Sequence, residues 1–359
     1  MAETSVKALL LLTFLAGSGA GCEDKPKESR PVEAEDGGEA QLKGVDPKLA
    51  EAVARAKKAD HDAAAGEQQE GGPPESGVFE PGKADEQLKK GAPPKITLGS
   101  AGSEPRIALT RALQPGWKDN GSIDISLRMG RNAVPELGFA LTVEALKPKA
   151  DAPSGSAQTM VAKVDKVAFN TDVGAQGKEL AGQLAKMRGS RIEFRVVEGG
   201  VGVDYAYSLA KGADPNLEMV LRGVGEALET ATIGVPKESV GAGGFWLITT
   251  RGLLNGAEVV SYRMMKLDKV EGDTLSLSVN TKRYAVTNKL EVPGIPPGTE
   301  LVQFQSTVEG TLSTDKSRPI AVGGSIKQAF MAALAQPSNP QQPLGMQSSS
   351  EITFKFGKK

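Results

Sequence analysis

The sequence predicts a mainly β fold of the α+β kind, with antiparallel sheets carrying two or three helices. Three observations predict it. Most of residues 95–359 alternate apolar and polar side chains with period two, the mark of half-buried strands. Two of these runs turn back through short Gly-containing links, as hairpins do. Only two stretches carry a clear helical period. Strands with one polar face suit an antiparallel sheet better than a parallel one, which is buried on both faces.

In chain order, "GSIDISLRM" sets Ile123, Ile125, Leu127 and Met129 against Asp124, Ser126 and Arg128. "ELGFALTVEAL" puts Leu137, Phe139, Leu141 and Val143 on one face. "GKELAGQLAKMRG" reads as a helix with Leu180, Leu184 and Met187 at i, i+4 and i+7, and Gly189 as its stop. "RIEFRVVEGGVGVDYAYSL" reads as a hairpin: Ile192, Phe194 and Val196 go out, Glu198-Gly199-Gly200 turns, and Val201, Val203, Tyr205 and Tyr207 return. A second helix starts at Asp214, an N-cap followed by Pro215 in the first turn, and aligns Leu217, Leu221, Val224 and Leu228. "SYRMMKLDKVEGDTLSLSV" is another hairpin, turning at Glu271-Gly272-Asp273, and "LVQFQSTVEGTL" and "EITFKF" add two strands. "SIKQAFMAAL" fits two descriptions: a helix capped by Ser325 and Gln328, or a strand paired with the C-terminal one.

About 265 residues can bury a sizeable core as one large β domain or two smaller ones. A short echo bears on the choice. "KVDKV" at 163–167 returns as "KLDKV" at 266–270, and "VEGG" at 197–200 as "VEGT" at 308–311. A duplicated β unit would give halves 95–235 and 236–359, meeting near "TIGVPKESVGAGG".

Residues 23–94 differ in kind. Phe79 is their only aromatic residue, and 17 acidic residues stand against 11 basic ones. Ala, Glu, Lys, Gly and Pro dominate. Such a segment buries too little apolar area to offset the entropy of ordering it, so the composition predicts a disordered tether. A helix capped by Asp46 and opened by Pro47 is an island within it. A flexible coil of this length spans about 45 Å r.m.s.. The whole chain carries −1 and the tether −6, which leaves +5 scattered over 95–359. That is too little and too dispersed to point to nucleic acid.

Residues 1–21 run from a short polar start through the apolar stretch Ala8–Ala16 to small residues, the layout of a secretory signal. The apolar run is shorter than the roughly 18–20 residues that span a bilayer. The single cysteine of the chain, Cys22, follows Ala20 and Gly21. This resembles the signal of bacterial lipoproteins, in which the residue after the cleavage site is a cysteine carrying a diacylglycerol. Gly19 and Glu3 depart from the usual pattern. The resemblance implies lipid attachment at Cys22, a membrane partner reached through that lipid, and a place in the bacterial cell envelope. "PKESVGAGGFW" is similar to turns of uncharacterised β-rich envelope lipoprotein domains, a likeness that implies no activity.

Much chemistry is absent. The one histidine, His61, lies in the tether, which removes Ser-His and Cys-His catalysis and His/Cys zinc sites from 95–359. "GAQGKE" is too short for a phosphate-binding loop, and "GGVGVD" and "RGVGEAL" lack the dinucleotide spacing, so their glycines read as turn and helix-packing residues. A two-carboxylate hydrolase survives the filter, with Glu193, Asp204, Asp268 and Glu271 as candidates. These also read as surface charges beside turns. The isolated Trp117 and Trp246 offer no sugar-stacking platform. The expectation is a non-enzymatic, tethered binding or interaction module without cofactor or metal, acting on an envelope protein. Its rival is a carrier that encloses a lipid or lipoprotein acyl chain between a sheet and a covering helix.

Overall fold

The computed structural model describes residues 74, 76–109, 115–130, 132–147, 157–254, 257–289, 296–316, 318–337 and 339–357. Cys22, His61, the Asp46 island and most of the tether lie outside them.

Twelve strands and three α-helices follow one another along the described chain. They are α1 (Lys83–Gln87), β1 (Lys95–Ser100), β2 (Lys118–Met129), β3 (Asn132–Ala145), β4 (Gln158–Phe169), α2 (Gly174–Ala185), β5 (Arg191–Val196) and β6 (Gly202–Ser208), then α3 (Glu218–Ala231), β7 (Phe245–Leu254), β8 (Ala257–Glu271), β9 (Thr274–Ala285), β10 (Glu300–Asp315), β11 (Gly323–Gln336) and β12 (Asn339–Phe356). All twelve strands form one antiparallel sheet in the order β1-β7-β8-β9-β10-β11-β12-β2-β3-β4-β5-β6. It is built of two meanders, β2–β6 and β7–β12. The pairing of β12 with β2 joins them, and β1 adds to the outer edge of β7.

The mainly β class is what the alternation predicted. "SIKQAFMAAL" is strand β11, laddered to β10 on one side and β12 on the other. Ser325 and Gln328 therefore cap nothing. Two neighbouring ladders satisfy every peptide group there, which a lone helical turn cannot do.

The sheet curls until its ends meet. The Val235 N–H donates to the carbonyl of Gly199 in the β5–β6 turn (2.7 Å), and Trp246 Nε1 donates to the Gly234 carbonyl (2.9 Å). Gly199 has a φ of +79°, and a Cβ there would lie 2.6 Å from Cδ1 of Ile96 on β1. The inner face of the curled sheet holds one continuous core. It takes Ile123, Phe139, Met160 and Phe194 from the first meander, and Trp246, Met265, Leu277, Ile326 and Phe354 from the second. The stretches 95–235 and 236–359 are thus two parts of one sheet around a shared core.

The echo has a local cause. In β4 the register slips at Asp165, between Lys166 and Val164, and in β8 it slips at Asp268, between Leu267 and Lys269. Each Lys-x-Asp-Lys-Val run is a β-bulge whose aspartate accepts a hydrogen bond from a hydroxyl of the adjacent strand, Thr142 or Ser278. The other pair does not correspond. "VEGG" is the β5–β6 turn, whereas Val308 to Thr311 lie inside β10.

The folded part begins upstream of Lys95, which corrects the tether boundary. The Gly77 carbonyl accepts from the Ala285 N–H, the Phe79 N–H donates to the Ala285 carbonyl, and the Phe304 N–H donates to the Ser76 carbonyl. Residues 76–79 thereby wedge between β9 and β10 where their ladder ends at Arg283 and Ser306. Gly77 is required there: its φ is +75°, and a Cβ would overlap the Phe304 carbonyl. Phe79, Ala84 and Leu88 are buried, and Phe79 and Ala84 pack on Val260, Tyr262 and Tyr284 of the outer sheet face. Arg251, nearly buried, pairs with Asp85 and Glu258 and donates to the Leu88 carbonyl. Composition averaged over 23–94 hid these few anchoring residues.

Candidate ligand cavity

Helix α3 begins as its sequence suggests. The Asp214 carboxylate accepts from the Asn216 N–H (2.9 Å), a 3₁₀ turn at Pro215–Leu217 follows, and the α-helix runs on to Ala231. Leu217, Leu221, Val224 and Leu228 are fully buried. The adjoining face carries Met219, Val220, Gly223 and Glu226. Together with Leu217 it borders a cavity of about 520 Å³. Leu180 and Leu184 of α2 close another side. The sheet supplies Ile125, Leu127 and Met129 of β2, Val134 and Leu137 of β3, and Phe330 and Ile352 of β11 and β12. Met219 is 43% exposed, and Asn132 and Ala133 are exposed, so the mouth lies at the start of α3 beside the β2–β3 hairpin.

The two glycines of "RGVGEAL" have different reasons to exist. A Cβ on Gly225 would come within 2.5 Å of the Tyr207 hydroxyl, so this glycine serves packing. A Cβ on Gly223 would meet nothing within 4 Å. Glycine inside a helix costs about 1 kcal/mol relative to alanine. Gly223 accepts that cost on the cavity wall with no steric neighbour to demand it.

One end of the cavity is polar, and the strand register explains how. On the inward face, Ser350, Gln328, Val308, Thr281 and Arg263 stand in one cross-strand row. The next row holds Ser348, Phe330, Ser306, Arg283 and Ser261. This polar band crosses five strands between the main core and a smaller apolar cluster of Val259, Ala285, Phe304 and Ala332.

Glutamates of α3 face the band. Arg263 Nη2 pairs with Glu229 Oε1 at 2.8 Å, and its Nη1 donates to the Glu229 carbonyl at 2.9 Å. Arg283 is as deeply buried but less engaged. Its Nη1 reaches the Ser306 hydroxyl at 3.3 Å, while its Nη2 lies 3.9 Å from Glu229 Oε2 and donates to nothing. Gln328 accepts from the Ser350 hydroxyl at 3.2 Å, and its buried Nε2 also lacks a partner. Burial raises the Glu226 carboxyl above the usual carboxylate range; Arg283 pulls it down, Glu229 pushes it up, and Arg222 pulls it down. Arg283, Ser306, Gln328, Ser350 and Glu226 all line the cavity. Buried donors left unpartnered cost about 1–3 kcal/mol each, so two at one cavity end call for an explanation.

The four candidate carboxylates are not brought to this site. Glu193 lies exposed on β5, and Asp204 on β6 pairs with Arg195. Asp268 pairs with Lys266, and Glu271 with Lys269, both on β8. Among the described residues no three His, Cys, Asp or Glu side chains stand where they could share a metal ion. Trp246 is a core residue of the curled sheet. Sequence reasoning missed Arg283, Gln328 and Ser306. The available signal was a polar side chain at an inward position: in β9 the series Leu275, Leu277, Val279 continues as Thr281 and Arg283 before returning to Ala285.

No family model matches the chain, and no curated protein matches it. Among solved structures, DynF from the dynemicin biosynthesis pathway of Micromonospora chersina is 10% identical over 74% of this chain and 92% of its own. The TM-score is 0.17, too slight a likeness to carry an argument.

Proposed function

We propose that the chain is a non-enzymatic binding protein of the bacterial cell envelope, anchored through a lipid on Cys22, that holds an acyl chain in the cavity beneath α2 and α3. One observation carries the ligand reading: an apolar-walled cavity of about 520 Å³ with a helical glycine on its wall. That volume lies within the roughly 300–1,000 Å³ of small-molecule sites. The leucine face of α3 closes the packed core, and it is the adjoining face, with Met219, Val220 and Gly223, that would border the ligand. The sequence of residues 1–22 supports the anchor.

Native mass spectrometry of the gently extracted full-length chain tests the ligand. The wild type should carry the mass of an acyl compound. Gly223→Leu, which puts a branched side chain on the cavity wall and suits a helix better than glycine, should fold normally and lose it. A wild type that carries no lipid and takes none up from vesicles overturns the carrier reading, and a co-purified protein in its place favours the interaction module. Cys22→Ser should move the protein from the membrane to the soluble fraction, and a variant still labelled by a fatty-acid probe would refute the anchor.

A further inference from the structure

The polar end of the cavity goes beyond a site for hydrocarbon. We infer that the ligand bears a single anionic head group, held by Arg283 Nη2 and Gln328 Nε2, with its chain running along the apolar wall toward Met219. This rests on the carrier reading above. Three features point to an anion. The two buried side-chain groups without a partner on the cavity wall are both donors. The arginine is 3% exposed, and its nearest carboxylate oxygen, at 3.9 Å, is beyond hydrogen-bonding distance. A guanidinium presents paired N–H groups that match a carboxylate or phosphate in geometry and charge.

The surrounding charges leave room for that anion. Arg263 and Glu229 neutralise one another directly. Two acids line the wall: Glu179, exposed to solvent on α2, and Glu226, whose raised pKa favours the neutral form, which would not repel a bound anion and could donate to it. Ser306 and Ser350 supply further hydroxyls beside the two donors. Seven residues of α3 separate Met219 at the mouth from Glu226, about 10 Å at 1.5 Å per residue. The head therefore sits inside and the chain points outward. A purely structural Arg283 would serve only as a second partner of Glu229 and would be indifferent to the ligand's head.

The test uses the full-length chain stripped of lipid, with the fluorescent fatty acid cis-parinaric acid and its methyl ester as probes. The wild type should bind the acid about 10–100-fold more tightly than the ester, the range expected for hydrogen bonds to a charged group. Arg283→Met should remove that preference by weakening binding of the acid far more than of the ester, and Arg283→Lys should restore part of it. Gln328→Leu leaves the Arg283–Glu229 contact in place and should also reduce the preference, which keeps the test valid if Arg283→Met does not fold. Competition by single-chain lysophosphatidic acid assigns the source: stronger displacement than by free fatty acid indicates a phosphate head, and weaker displacement a carboxylate, both within the inference. Equal binding of acid and ester by the wild type overturns the head-group inference and leaves the carrier reading standing. Binding of neither probe overturns the carrier reading itself.

Discussion

The two meanders of the sheet treat their inner faces differently. Across β2 to β5 the inward residues are apolar except for Asp119 at the start of β2, which pairs with Arg318: Ile123 and Ile125, then Leu137, Phe139, Leu141 and Val143, then Met160, Ala162 and Val164, then Ile192 and Phe194. Across β8 to β12 the inward rows hold Ser261, Arg263, Thr281, Arg283, Ser306, Gln328, Ser348 and Ser350. In β8 and β9 the polarity is partly inverted, since Val260, Tyr262 and Tyr284 face outward. This inversion explains why residues 76–94 are folded: they cover the apolar outer patch that it creates. The first meander is built for packing. The second gives up packing to place two arginines inside.

The largest effect should come from breaking the packed half. Phe139→Ala should lower stability by about 3–5 kcal/mol in denaturant unfolding, whether or not lipid is present. Leu127→Ala, on the cavity wall, should cost clearly less than the ~2–5 kcal/mol of a packed leucine, and its stability should depend on ligand loading. Equal losses at the two positions would erase the distinction between the regions.

A smaller effect tests the inverted outer face. Phe79→Ala should cost about 3 kcal/mol, and brief proteolysis should cut upstream of residue 76 rather than near Lys95. A fragment starting at Lys95 that matches the full chain in stability would show that the cover over β8 and β9 is dispensable.

The smallest effect sharpens the polar end. Glu226 has a folded pKa above its unfolded value, so the folded protein binds more protons between the two. Stability is then greatest below the unfolded value and falls as pH rises through this window. Melting temperatures of Glu226→Gln should show the variant gaining on the wild type as pH rises above the ordinary carboxylate value of 4.5. The opposite trend would mean that Glu226 acts ionised, as a partner of Arg283.

Much of the fold was legible because it is local. Alternation along β2, β3 and β5 names their buried faces, Asp214 and Pro215 mark the start of α3, and Gly189, with φ of +93°, ends the turn after α2. Those signals act over a few residues, and no distant partner is needed to read them. The carboxylates Asp204, Asp268 and Glu271 each find a nearby cation on their own or an adjacent strand.

What the sequence by itself determined is the class of this protein: its strands, its two long helices and the leucine face of α3. Only the tertiary structure decided that β12 pairs with β2, that β1 joins β7, and that Phe79 and Leu88 belong to the folded part. It alone aligned Arg283 with Ser306, Phe330 and Ser348 across four strands. The physical reason is that period and capping follow from bonds between near neighbours, whereas a cavity is made by residues far apart in sequence whose register is fixed only when the strands pair. Gly223 shows the difference most plainly: in the chain it is one more helix glycine, and in the fold it stands on a cavity wall where a Cβ would meet nothing within 4 Å.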